Sequence, residues 1–151
     1  MVFWQIASGD GNVDLDAVFF KLNVALIGPG SLGDYFDHRT RYAELDDGHY
    51  VRSFCEEVSV GDILILKRMV NPHAAEWDIK AVGKVVGEYR YEPIFERVDV
   101  SGWDMQHCRR VHWIVPPKPI RINGGGAPGR IQRCKDDNIL VARARKILSQ
   151  Q

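Results

Sequence analysis

The longest patterned stretch of the chain is Gly61–Tyr91, GDILILKRMVNPHAAEWDIKAVGKVVGEYRY. Ile63, Leu64, Ile65 and Leu66 form a continuous apolar run after the Gly61-Asp62 turn signal, the pattern of a strand buried on both faces. Asn71-Pro72 predicts a turn, and Trp77–Gly87 a second long strand punctuated by Lys80 and Lys84. Gly83 and Gly87 mark a bulge, a bend or a close backbone approach. Ahead of this pair, Val2–Ala7 predicts a first strand and Ser8–Asn12 a turn. Leu15, Val18, Phe19 and Leu22 then recur at helical spacing, with Asp14 available as an N-cap. Val24–Ile27 predicts a short strand closed by the rigid turn Gly28-Pro29-Gly30, whose glycines allow backbone to approach a ligand. Ser31–Asp47 is polar and predicts a surface loop with at most a short helical turn. Tyr50–Val58 predicts a helix with Val51, Phe54 and Val58 on one face.

Further on, Pro93 breaks the strand pattern of Tyr89–Arg97, and Val98–His107 predicts a loop. Arg109–Val115 predicts the closing strand, with Val111, Trp113 and Val115 sharing a face by period-two alternation. Pro116, Pro117 and Pro119 end it, and Arg121–Arg130 predicts a glycine-rich connector. A final helix is expected at about 136–149, with Ile139, Leu140, Ala144, Ile147 and Leu148 as its stripe and Asp136 or Asp137 near its N-terminus. The whole predicts one α+β domain over 1–151, a small β-barrel with short helices, without internal repeats.

Composition narrows the function. Hydrophobic residues are 45% and charged residues 26%, ordinary for a globular protein. Basic and acidic residues cancel at 20 each, so no overall field favours wrapping a polyanion, and a nucleic-acid role must rest on a pocket and a local patch. No apolar run approaches the roughly 18 residues of a membrane span. MVFWQIASGD lacks the basic and apolar regions of a secretory signal. Cys55, Cys108 and Cys134 fit neither a disulfide framework nor a zinc site, so a reducing, cytoplasmic setting without a membrane partner is expected.

No catalytic apparatus, metal site or cofactor motif emerges. His107, Cys108 and His112 lack a second ligand pair at zinc spacing. GGGAPGR lacks the lysine and Ser/Thr of a phosphate loop. His38 or His49 with Cys55 has no activating surroundings. The pairs Lys67-Arg68 and Arg109-Arg110, together with Arg121, are candidate phosphate contacts, the alternative being solvated strand edges.

From Phe3 to about Val115 the chain resembles the EVE and YTH branches of the PUA-like superfamily. FWQIASGDGN resembles the first strand and its Ser/Asp/Asn loop. AVGKVVGEY, at 81–89, resembles the long strand that precedes a variable loop. GWDMQHCRRVHWIV, at 102–115, resembles the tryptophan loop and final strand. GPG at 28–30, VGEYRYEP at 86–93 and RRVHWI at 109–114 look most like EVE modules of modification-dependent restriction systems.

The resemblance implies a PUA-like small mixed β-barrel flanked by short helices, with an aromatic-walled pocket for one modified base. Trp103 matches the loop tryptophan of such a pocket, against local packing. Trp4 faces either pocket or core, and Trp77 either stacks on a base or caps the barrel. Trp113 is assigned to the core. Ser8, Asp10 and Asn12 correspond to the loop that reads the base edge, or are simple turn residues. Gly28, Pro29 and Gly30 stand where YTH domains carry a cage tryptophan. They leave room for a different base or only serve the turn, with Tyr35 and Phe36 as substitute walls or as a hydrophobic lid contact. The expected function is therefore non-catalytic recognition of a modified base in DNA, a modified cytosine, by base flipping. Any cutting would belong to a nuclease or NTPase partner or parent chain. The alternatives are an RNA-binding reader of modified RNA and a nucleoside or small-molecule-binding regulator.

Overall fold

The apolar run at 63–66 lies at the centre of the sheet. In the computed structural model, which describes residues 1–9, 14–97 and 104–151, it opens strand β3 (Ile63–Asn71). β3 pairs antiparallel with β4 (Glu76–Val85) and parallel with β1 (Phe3–Ile6), Phe3 standing opposite Ile63. Burial on both faces follows from alternation. Leu64 and Leu66 enter one core with Trp4, Phe19, Leu26, Tyr42, Phe54 and Val111. Ile63 and Ile65 enter a second core with Phe3, Trp77, Ile79 and Ile122.

The remaining strands curl around this centre. β6 (His107–Ile114) lies between β4 and β2 (Val24–Ile27), and the two-residue β5 (Arg90–Tyr91) also pairs with it. β7 (Ile120–Asn123) pairs with β4, and β8 (Ile131–Arg133) with β1. The result is a strongly curled eight-stranded sheet forming a half-barrel, of mixed α/β content and barrel-like in character. Helices α1 (Asp16–Leu22), α2 (Arg39–Ala43) and α3 (Gly48–Arg52) contribute to the first core. The longest, α4 (Ile139–Ser149), closes the second core with Leu140, Val141, Ala144 and Ile147. No helix is long and apolar enough to cross a membrane.

Several expectations are corrected. The predicted connector holds most of β7 and leads directly into β8, so β6 is not the last strand. The loop expected at 31–47 holds a 3-10 turn (Tyr35–Asp37) and α2, because Tyr35 and Tyr42 are buried and anchor it. α4 begins just after Asp136 and Asp137, as expected, and its cap is Asn138, whose side chain accepts from the Leu140 N–H. Val115 is 50% exposed and leaves the face that buries Val111 and Trp113.

Gly83 proves to be a close approach: a Cβ there would overlap Val111 and Trp113. The bulge falls instead at Lys80. Leu66 stands opposite Ala81 but Lys67 opposite Ile79, leaving Lys80 as the extra residue.

Candidate functional site

The β1–β3 register ends at Ile6 opposite Leu66. The residues just beyond it, Ala7-Ser8-Gly9 on one strand and Lys67-Arg68-Met69 on the other, line a cavity of about 500 Å³. Trp77 of β4, Asp47 and Tyr50 around the start of α3, and the turn Pro128-Gly129-Arg130 complete its walls. The Ala7 N–H donates to the Arg130 carbonyl at 2.9 Å and fixes that turn against β1.

One side of the cavity is a tight ion cluster. The bulge aims Lys80 at two carboxylates just ahead of and at the start of α1, pairing it with Asp14 at 3.1 Å and with Asp16. Ser8 Oγ bonds Asp16 and, at 3.2 Å, Asp14, while Arg68 reaches Asp14 at 3.1 Å. Burial alone would raise the Asp14 carboxyl. Hydrogen bonds from Asp16 and Lys80 outweigh it and hold the group at about 2. Burial and the neighbouring Asp14 push Asp16 the other way, upward, so Asp16 is the member of the pair that takes up a proton first. Burial opposes the charge on Lys80, but the two carboxylates raise its pKa.

The opposite wall is built on a buried lysine. Lys67, 5% exposed, donates to the carbonyls of Ala127 and, at 2.9 Å, Gly129. Its ammonium lies 5.0 Å from the centroid of the Trp77 ring, and burial lowers its pKa to about 8. Gly126 packs directly on that indole, so Trp77 forms a wall with little free face. Arg130 binds the Gly28 carbonyl and pairs with Asp47 at 3.1 Å.

Of the residues singled out from sequence, Ser8, Trp77, Lys67 and Arg68 meet at this cavity. Trp4 does not. It is 2% exposed in the first core, and its Nε1 donates to Asp62 at 3.0 Å. Gly28, Pro29 and Gly30 make no room for a base. Gly28 abuts the Asp104 backbone and Gly30 the Gln106 side chain. The Pro29 carbonyl accepts from His107 Nε2 at 2.9 Å and that of Gly30 from the Tyr91 hydroxyl at 2.7 Å. The turn meets the cavity only through Arg130.

Arg109 is 4% exposed and donates to the carbonyls of Phe54 and Cys55 at 2.9 and 3.0 Å, so it is a structural clamp rather than a phosphate contact. Arg110 is exposed beside Gly87, off the cavity. Arg121 is exposed but paired with Asp78 at 2.7 Å. Trp113 is in the core as expected, its Nε1 bonded to the Val24 carbonyl. Tyr35 is buried with its hydroxyl on Glu56, and Phe36 packs edge-on against Tyr89 in a separate cleft. Asp10, Asn12 and Trp103 lie outside the described residues, although Gly9 and Asp14, on either side of the first two, line the cavity.

The residues missed from sequence are Asp16, Asp47, Tyr50, Lys80 and Arg130. The readable signal was Asp14-x-Asp16 before a helix, together with a lysine inside an otherwise apolar strand. Among the described residues, no three His, Cys, Asp or Glu side chains gather to hold a metal ion.

The family described as a domain of unknown function, DUF8426, matches residues 4–126. The chain belongs to that family. The DUF8426 match takes in β1 through β7 and most of the cavity wall, while Pro128–Arg130, β8 and α4 lie beyond it. No curated protein matches the chain.

Proposed function

We propose that this DUF8426 protein is a PUA-like, EVE-type reader: a non-catalytic module that takes one modified base, a modified cytosine in DNA, out of the stack and into the cavity beyond β1 and β3. The observation that carries the reading is the cavity's composition. One half-buried aromatic side chain, Tyr50, stands beside the buried wall of Trp77 in one space with a Ser8–Asp14–Asp16 polar cluster and with Arg68 and Arg130. Its volume lies within the roughly 300–1,000 Å³ typical of small-molecule sites.

Each part has a task in such a complex. A carboxylate accepts from the exocyclic amine of cytosine. Aromatic contact contributes about 1–3 kcal/mol per base, against an unstacking cost of a few kcal/mol. A buried methyl adds only about 0.8 kcal/mol, so the fit of the walls must reject other bases. Arg68 and Arg130, partly exposed, are placed to meet phosphates flanking the extruded nucleotide. Cleavage of the bound DNA would fall to a nuclease or NTPase partner or to another part of a parent chain.

The test is fluorescence anisotropy with one oligonucleotide in DNA and RNA forms, single- and double-stranded. It carries cytosine, methylcytosine, hydroxymethylcytosine or methyladenine. The expected result is preference for a modified-cytosine DNA, reduced at least tenfold in Tyr50→Ala and in Asp16→Asn, with both variants folded. Equal affinity for every base, or tighter binding of free nucleosides than of oligonucleotides, would overturn the reading.

A further inference from the structure

The neutral net charge conceals a segregation. Residues 118–151 contain eight Lys/Arg and two Asp/Glu, leaving twelve and eighteen for residues 1–117, so a +6 segment follows a −6 segment. Five of these cations lie exposed on or beside β8 and α4. Arg133 lies on β8, the outer strand of the sheet, opposite Trp4, and Lys135 follows it. The Cys134 N–H between them donates to the Phe3 carbonyl at 2.8 Å, and Arg145 of α4 sits 5.3 Å over the Phe3 ring. Arg143 and Lys146 project from the exposed part of the same helix. All five cations are exposed, and none of them forms an ion pair among the described residues. Other cations of the same segment partner acids of the first: Arg121 pairs with Glu76 and Asp78, and Arg130 with Asp47.

The chain runs from the cavity wall directly into β8. Pro128–Arg130 form part of the cavity wall, and β8 begins at the next residue. Arg133 therefore follows Arg130 by about 10 Å of extended backbone at ~3.3 Å per residue.

We infer that β8 and α4 form a phosphate-binding track, which carries the backbone of the nucleic acid away from the cavity without reading its sequence. The inference rests on the proposed nucleic-acid reading and adds the surface that supplies affinity. A cluster of unpaired cations that only balanced the dipole of α4 would favour the last helical turn alone, whereas Arg133 and Lys135 precede the helix.

The experiment uses the full chain and the triple variant Arg133→Gln/Lys135→Gln/Arg143→Gln, which leaves Arg145 packed on Phe3. Both are titrated with unmodified and methylcytosine-containing oligonucleotides over a range of salt, and with phosphatidylserine vesicles. Thermal melting of both controls for helix stability. The variant is expected to weaken modified and unmodified oligonucleotides by the same factor. The slope of log K against log salt should become shallower by about 0.7–0.9 per phosphate contact removed.

An unchanged slope in a folded variant overturns the track, and if the preference for the modified base persists the base reading survives alone. A shallower slope with no base preference in either protein overturns the base reading and leaves the track standing. Binding to vesicles but to no oligonucleotide overturns both.

Discussion

His107 gives the fold a predictable sensitivity to acid. The ring is fully buried. Nε2 lies 2.9 Å from the Pro29 carbonyl, which only accepts, so Nε2 carries the proton. Nδ1 then accepts from the Tyr89 hydroxyl at 2.8 Å, and that oxygen in turn accepts from the Tyr35 N–H at 3.0 Å. The neutral imidazole is satisfied at both nitrogens, and burial lowers its pKa from 6.5 to about 4.

The unfolded chain takes up a proton near 6.5 and the folded chain only near 4. In that window the unfolded state binds more protons, so stability rises with pH and is lost on acidification. At about 1.4 kcal/mol per tenfold change, the interval amounts to about 3 kcal/mol. The comparison is with His107→Gln, whose amide offers a donor and an acceptor but does not titrate. Urea unfolding of both proteins at steps from pH 7 down to pH 4 is the assay. The wild type should lose about 3 kcal/mol more than the variant over this range. Asp14, held at about 2, loses its contribution mainly below this window and cancels in the comparison. Parallel pH profiles for the two proteins would refute the reasoning.

Other perturbations follow from single contacts. Arg109→Met strands the carbonyls of Phe54 and Cys55, and at ~1–3 kcal/mol for each unmet buried group it should destabilise by a few kcal/mol in urea unfolding. No loss would show that the clamp is dispensable. Gly83→Ala forces a methyl against Val111 and Trp113 and should cost about 1–3 kcal/mol by the same assay. A change below about 0.5 kcal/mol would mean that the sheet relaxes freely there.

How far the sequence could be read depended on whether a signal was local. The alternation of Ile63 and Ile65 against Leu64 and Leu66 marked a doubly buried strand, and the structure shows the two cores they serve. Gly83 announced a close approach, but period-two reading had no means of seeing that the bulge falls on Lys80, because a bulge is defined by the partner strand. β7 and β8 escaped because each is at most four residues long and lies beside a glycine-rich turn, where pairing with β4 and β1 supplies what propensity does not.

The same distinction separates the site residues. Ser8, Lys67 and Arg68 were visible as loop or strand-end polar groups. Tyr50, Asp47 and Arg130 reach the cavity only through tertiary packing. Arg109 looked like a surface cation beside Arg110, although the same period-two alternation that groups Val111 with Trp113 places it on their buried face. Net charge was the most misleading figure: it summed to zero two segments of opposite sign, joined where Arg121 meets Glu76 and Asp78 and where Arg130 meets Asp47.

The central claim is that the cavity beyond β1 and β3 holds the modified base. Backbone amide mapping by NMR, during titration with a methylcytosine oligonucleotide, tests it most directly. The account predicts shifts concentrated at Ala7–Gly9, Lys67–Met69 and Gly129-Arg130, with the Trp77 indole N–H among them, and weaker ones along β8. Shifts centred instead on Phe36, Ser59 and Tyr89, the lining of the other cleft, would contradict it.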